Sequence, residues 1–192
     1  YYVDQTTVDT MTEVGLKRLT SAKTVATAWK RLVPDYVAGQ TFAIKVNFNN
    51  YTHGSADPDP EINSLIEPVN ALIRTLVMAG VQESQISVYD VTNAWHSGSM
   101  PPVSFVNRCL YPGVNFVYHY GNPNPFSSTE KVVFNETGTP NIPDLAIGNV
   151  VVNADYLINM FVPKGHQMTG ATLGFKNHLG SVDQCDHVHN YF

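Results

Sequence analysis

The chain has 192 residues, 43% of them hydrophobic, which fits one folded domain with a real core and excludes global disorder. Its net charge of -5 argues against nucleic acid as a partner, because phosphate contacts need a Lys/Arg surplus on one face. Charged residues make up only 14%, and Asn, Thr, Ser and Gln carry the polar load, a balance expected of an extracytoplasmic, periplasmic or secreted protein.

Residues 4–20 predict a first helix, capped by Asp4 or by Thr6/Thr7, with Val8, Met11, Gly15 and Leu19 at helical spacing. A second helix is expected over 21–33, with Val25, Trp29 and Leu32 on one face and Pro34 as its stop. The β-branched and aromatic run 41–47 reads as a core strand. Residues 48–61 are a loop, since Gly54 to Pro60 exclude helix and central strand.

The clearest helix covers 62–78. Leu65, Val69, Leu72, Ile73, Leu76 and Val77 form its stripe, Pro68 marks the first turn, and Gly80 sits where a left-handed C-cap belongs. A strand follows at 85–91, so strand, helix and strand predict a βαβ unit with parallel strands. Further on come a short helix at 103–110, a strand at 114–119, a loop at 121–129 and a short edge strand at 131–134. Residues 141–155 are mixed, and 156–161 read as a fourth, central strand. A helix is expected to start near Ala171, with Thr169 capping it at Gly170. The fold class is therefore α/β: a mostly parallel, Rossmann-like sheet flanked by helices, in a single domain over 1–192.

The stretch 162–180 concentrates Lys164, His166, Thr169, Thr172, Lys176, Asn177 and His178. Ligands in open parallel sheets bind outside the carboxyl ends of the strands. Those ends hold Asn47, Asn49 and Asn50, then Asp90, Thr92 and Asn93, then His119, then Lys164 with His166. A cleft lined by Lys45, Asn47, Lys164, His166, Lys176 and Asn177 would be cationic and rich in donors, suited to a small anionic ligand such as a carboxylate, a phosphate or a developing oxyanion. His166 is the first candidate acid/base, with Lys164 and Lys45 supplying charge and Asp90 orienting a lysine or ligating a metal. The alternative for Lys45 is a structural ion pair with Asp90.

Other features are weaker. His187 and His189, with Cys185 and Asp186, are candidate ligands for a divalent metal. Asp57, Asp59 and Glu61 read as an exposed acidic turn, and His53 and His96 as surface histidines. Cys109 and Cys185 are either a disulfide or two packed thiols, and are too few for an iron–sulfur cluster. Asn50 and Asn135 open glycosylation sequons. No run is long and apolar enough to span a membrane. The start at Tyr1 without Met leads us to expect a processed or trimmed chain, a removed export signal being one way to arrive at it.

Two resemblances follow. Thr169-Gly170-Ala171-Thr172 resembles the segment at which FMN-binding proteins of extracytosolic redox chains carry flavin, on the residue at the position of Thr172; Gly174 stands where those proteins usually have a second hydroxyl residue. The chain as a whole resembles the family catalogued as domain of unknown function 362, especially its exported bacterial branch. The likeness rests on Met11-x-x-x-Gly15-Leu16-x-x-Leu19 with Ala28-Trp29, on Ala43-Ile-Lys-Val-Asn47, and on Met78-Ala-Gly-Val81 before Ile86-Ser-Val-Tyr-Asp90. It continues through Ala154-Asp155-Tyr-Leu-Ile-Asn159, Lys164-x-His166 and Gly174-Phe-Lys-Asn177-x-x-Gly180.

That resemblance implies an α/β domain with Lys45, Asn47, Asp90, Lys164, His166, Lys176 and Asn177 on the family's motifs, but no settled activity. Relatives with ferredoxin-type cysteine motifs imply redox company, and relatives that continue beyond the position of Gly180 imply that this is the N-terminal part of a longer domain. Two function classes are expected from these readings. One is a redox or metal-assisted enzyme acting on an anionic ligand. The other is a non-catalytic assembly subunit, completed by neighbouring chains or as a homo-oligomer through an open sheet edge.

Overall fold

A computed structural model describes residues 3–48, 63–91, 103–119, 124–133, 143–166 and 170–183. Helix α1 (Gln5–Leu19) is capped by the Asp4 carboxylate, which accepts from the Thr7 amide at 2.7 Å. Helix α2 (Val25–Leu32) starts at Thr24, whose hydroxyl accepts from the Thr27 amide. Strand β1 (Phe42–Lys45) leads to α3 (Ile66–Met78), then to β2 (Ile86–Asp90), α4 (Val103–Asn107) and β3 (Asn115–Tyr118). Helix α3 ends as the sequence predicts. Gly80 takes φ +96°, its amide donates to Val77 O, and the Val81 amide donates to Leu76 O, the paired bonds of a Schellman cap.

β1, β2 and β3 join β6 (Tyr156–Asn159) in an all-parallel sheet of order β3-β2-β1-β6. The fold is α/β, as expected. Phe42, Ile44, Val46, Ile86 and Val88 alternate onto one face and pack under α2 and α3 against Trp29, Val69, Ile73 and Leu76. Trp29 meets Phe42 edge-on at 6.1 Å, and its indole N–H donates to the buried Thr75 hydroxyl. Thus α3 is enclosed on more than one side, and its buried positions include Glu67, Asn70 and Thr75 besides the apolar stripe.

Several expectations are corrected. α1 buries no residue fully, and Met11 and Leu19 face solvent. The helix meets α3 through the half-buried Leu16, which packs against the core, and through polar contacts of Arg74 with Glu13 and Asp9 and of Gln5 with Glu67 O. Leu32 is exposed at the end of α2. The loop expected over 121–129 contains the first residues of β4 (Phe126–Val132), which pairs antiparallel with β5 (Leu145–Gly148). Val150, Val151 and Val152, which the sequence leaves open between strand and helix end, fall in the short helix α5 (Asn149–Val152), the second of those alternatives.

Strand β6 is not central: among the described residues it pairs only with β1, and Leu157 is 48% exposed. The helix expected from Ala171 starts three residues later. Residues 164–172 form an antiparallel hairpin, β7 (Lys164–His166) with β8 (Gly170–Thr172), and α6 (Gly174–Asn177) follows without a side-chain cap. Cross-strand pairing has overridden the local helix-cap signal at Thr169, itself outside the described residues. A 3-10 turn (His178–Ser181) ends the described chain near Asp183.

Candidate functional site

All four sheet strands run the same way, so their carboxyl ends share one edge. The registers place Lys45 beside Tyr89 on one side and Asn159 on the other. Lys45 is 1% exposed and so is Asp90; their charged atoms lie 3.3 Å apart. Lys45 also donates to Val46 O and sits 5.8 Å over the Tyr89 ring, while Asp90 accepts from the Phe48 amide at 2.9 Å. These contacts make it feasible to bury the pair. The structural ion-pair reading of Lys45 is therefore the one observed, and its ammonium is not open to a wet cleft.

Around this pair three asparagines interlock. Asn47 follows β1, and its backbone is tied to Ser64 in both directions: the Asn47 amide donates to Ser64 Oγ, and the Ser64 amide donates to Asn47 O. Its side-chain amide donates to Asn177 Oδ1 at 3.4 Å, and its Oδ1 accepts from Lys164 Nζ at 3.4 Å. Asn177, buried at the end of α6, donates to Asn159 Oδ1 at 2.7 Å and to Lys45 O at 3.4 Å. Asn159 in turn donates to Gly174 O at 2.8 Å. The tail is thus pinned to the edge that the topology exposes, bringing Lys45, Asn47, Asp90, Lys164 and Asn177 together.

Thr172 stands directly opposite Lys164 across the hairpin, so the two side chains leave the same face. The Thr172 residue is only 4% exposed, and its hydroxyl has no hydrogen-bond partner among the described residues. The Lys176 ammonium is likewise out of water and without a partner there. Burial pushes the Lys164 ammonium below its usual 10.5; Asp90 opposes this and the Lys176 charge adds to it. Burial alone pushes Lys176 down.

On the far side of β2, the Gly180 carbonyl accepts from the Val91 amide. There Ser181 Oγ lies 3.0 Å from the Tyr89 hydroxyl and 3.1 Å from His178 Nδ1. Burial, then the Lys45 charge, lowers the His178 imidazole, and burial pushes the Tyr89 hydroxyl up to about 12.

His119 does not join the cluster. Its ring lies 5.7 Å from that of Phe126, in a separate groove lined by Asn124, Ser127 and Asn149. His166 takes part in the hairpin through its backbone, opposite Gly170, and its side chain lies outside the described atoms. Asn49, Asn50, His53, Asp57, Asp59, Glu61, Thr92, Asn93, His96, Asn135, Cys185, His187 and His189 lie outside the described residues. Cys109 lies just after α4, its Sγ donating to Tyr111 O, and Cys185, the other half of the expected disulfide or thiol pair, lies outside the described residues.

Among the described residues no group of three or more His, Cys, Asp or Glu side chains could hold a metal ion. The buried Thr172 side chain is a poor fit to covalent flavin, because attachment there would have to displace its packing. No helix among the described residues is long and apolar enough to cross a membrane. The sequence reasoning named Asn159 only inside a motif and did not assign a role to Ser64, Tyr89 or Ser181. For Asn159 the signal was available, since it ends a parallel strand as Asn47 follows one.

Fold and site together define an α/β protein whose polar and cationic groups gather at the carboxyl edge of a parallel sheet. The chain belongs to the family described as Domain of unknown function (DUF362), whose model matches residues 43–191 and so takes in the sheet, the hairpin and the tail. No curated protein and no solved structure matches the chain.

Proposed function

We propose that this protein binds a small anionic ligand at the carboxyl edge of its sheet, through Lys164 and Lys176, with Asn47 and Asn177 fixing their surroundings. The observation that carries this reading is the Lys176 ammonium, held out of water with no hydrogen-bond partner among the described residues, within electrostatic reach of Lys164. An enclosed cation of that kind is stabilised by an anion. Lys45 is the structural base of the site, its charge met by Asp90.

Catalysis is part of the proposal. An amine held below its usual range exchanges protons nearer neutrality, which suits Lys164 to acid/base work alongside His166, in a redox or metal-assisted reaction. An extracytoplasmic location is also proposed, on the low charged fraction of 14%; cell fractionation tests it. For ligand binding, thermal unfolding is followed with millimolar phosphate, oxalate and acetate. At least one anion raises the midpoint of the wild-type chain, and Lys176→Gln loses the shift. No shift with any of the three contradicts the reading.

The apolar surface of the tail favours a second reading, an assembly subunit. Phe175 is 98% exposed, and Leu173, Phe161 and Leu157 on edge strand β6 are exposed with it. Sedimentation velocity decides: a monomer across the whole concentration range sinks this reading.

A further inference from the structure

We infer that a pocket at the other end of β1 is a second ligand site, taking a small aromatic carboxylate. It is independent of the proposed anion site: Phe42 opens β1 and lines this pocket, whereas Lys45 closes the strand at the polar edge. The pocket measures about 290 Å³. An apolar cavity of about 150 Å³ holds benzene, so this space suits two fused rings rather than a long or branched ligand.

Trp29, Tyr36, Phe42, Leu76 and Val81 are among its walls. The Trp29 indole N–H already donates to Thr75, and the Tyr36 hydroxyl is out of water, so both rings offer apolar surface and no donor. The rings also hold one another. Phe42 meets Trp29 at 6.1 Å and Tyr36 at 5.7 Å, and it stacks on Tyr156 at 4.9 Å. Walls fixed before binding lose little freedom when a flat ring settles against them.

Charge selects the head group. Lys30 supplies the only charge in the lining among the described residues, and it is exposed, which puts it at the mouth. Residues 17–35 carry Lys17, Arg18, Lys23, Lys30 and Arg31 against one acid, Asp35, in a chain whose net charge is -5. Arg31 donates to Thr20 O, which ties the end of α2 back to the end of α1 and gathers cations at one corner. Basic last turns suit the two helix dipoles. Set beside an aromatic pocket, they also attract an anion whose body is apolar.

Isothermal titration of the full chain with 2-naphthoate and its neutral amide tests this, with acetate as competitor. 2-Naphthoate is expected to bind about threefold to fivefold tighter than the amide, the margin of one exposed ion pair, and acetate not to displace it. Lys30→Gln brings 2-naphthoate down to the amide. Ala26→Leu, at an exposed helix position of the lining that accepts leucine, blocks the pocket and removes both, while Lys176→Gln leaves both unchanged. Equal affinity for the two naphthyl compounds, binding of neither, binding that survives Ala26→Leu, or displacement by acetate each overturns the proposal. Loss of binding in Lys176→Gln would place 2-naphthoate at the carboxyl edge of the sheet and overturn it as well.

Discussion

The two sides of strand β1 meet opposite physical problems. On one, Phe42, Ile44 and Val46 pack under α2 and α3 against Trp29, Ile73 and Leu76, with no charge to satisfy. On the other, Lys45 and Asn47 meet Asp90, Asn159, Lys164 and Asn177, and almost every contact is a hydrogen bond or an ion pair. The first arrangement is non-directional and tolerates volume-conserving change. The second depends on each partner, because a buried polar group stripped of its partner loses more than a methylene does. Stability belongs mainly to the helix-clad side and the proposed ligand binding to the polar edge, with the Lys45–Asp90 pair bridging them.

Breaking that bridge has the largest expected effect. Lys45→Met takes from the buried Asp90 its ion-pair partner at 3.3 Å, and urea unfolding should show a loss of about 3–5 kcal/mol. Adding Asp90→Leu should recover much of it, whereas a single variant as stable as wild type would show that the pair is not structural. On the apolar side, Ile73→Ala should cost about 2–5 kcal/mol through the cavity it leaves, while Phe175→Ser in the exposed tail should cost almost nothing. Equal losses at the two positions would erase the distinction between the regions. Gly80→Ala, forced to φ +96°, should cost about 1–2 kcal/mol in the same assay.

A subtler difference lies in pH. Lys164 and Lys176 are depressed below 10.5 in the folded chain, so the unfolded chain binds more protons in the window between their folded values and 10.5. Stability therefore rises with pH across that window, and the full cost of enclosing ammonium groups is present below it. Urea midpoints measured from neutral pH to 10.5 should rise in the wild type relative to Lys176→Gln; a flat difference would argue that Lys176 is solvated like any surface lysine.

The helix-clad side was legible because its signals are local and periodic. The stripe of α3, its Schellman glycine and the β-branched strands β1 and β2 each carry their pattern within one segment. The polar edge was legible only in part. The topological rule placed Lys45, Asn47, Asp90 and Lys164 at one edge, and they meet there.

What failed depended on contacts distant in sequence. β6 has the apolar look of a central strand, yet position in the sheet, which no local pattern encodes, puts it at the edge. The β7–β8 pairing converted an expected helix start into a strand. β5 is four residues of Leu, Ala, Ile and Gly, too short to announce itself, and it exists through pairing with β4. The face of α1 was misjudged because Leu16, rather than Met11 or Leu19, packs against the core, and ion pairs with Arg74 share the contact with α3.

The proposed anion site turns on the Lys176 ammonium, enclosed and without a hydrogen-bond partner among the described residues. NMR titration of the lysine side chains, with Lys176 assigned through Lys176→Gln, tests it most directly. The account predicts that Lys176 titrates below the exposed lysines in the free protein and moves back up when phosphate is added. A Lys176 that titrates with the exposed lysines near 10.5 and ignores added anions would contradict it.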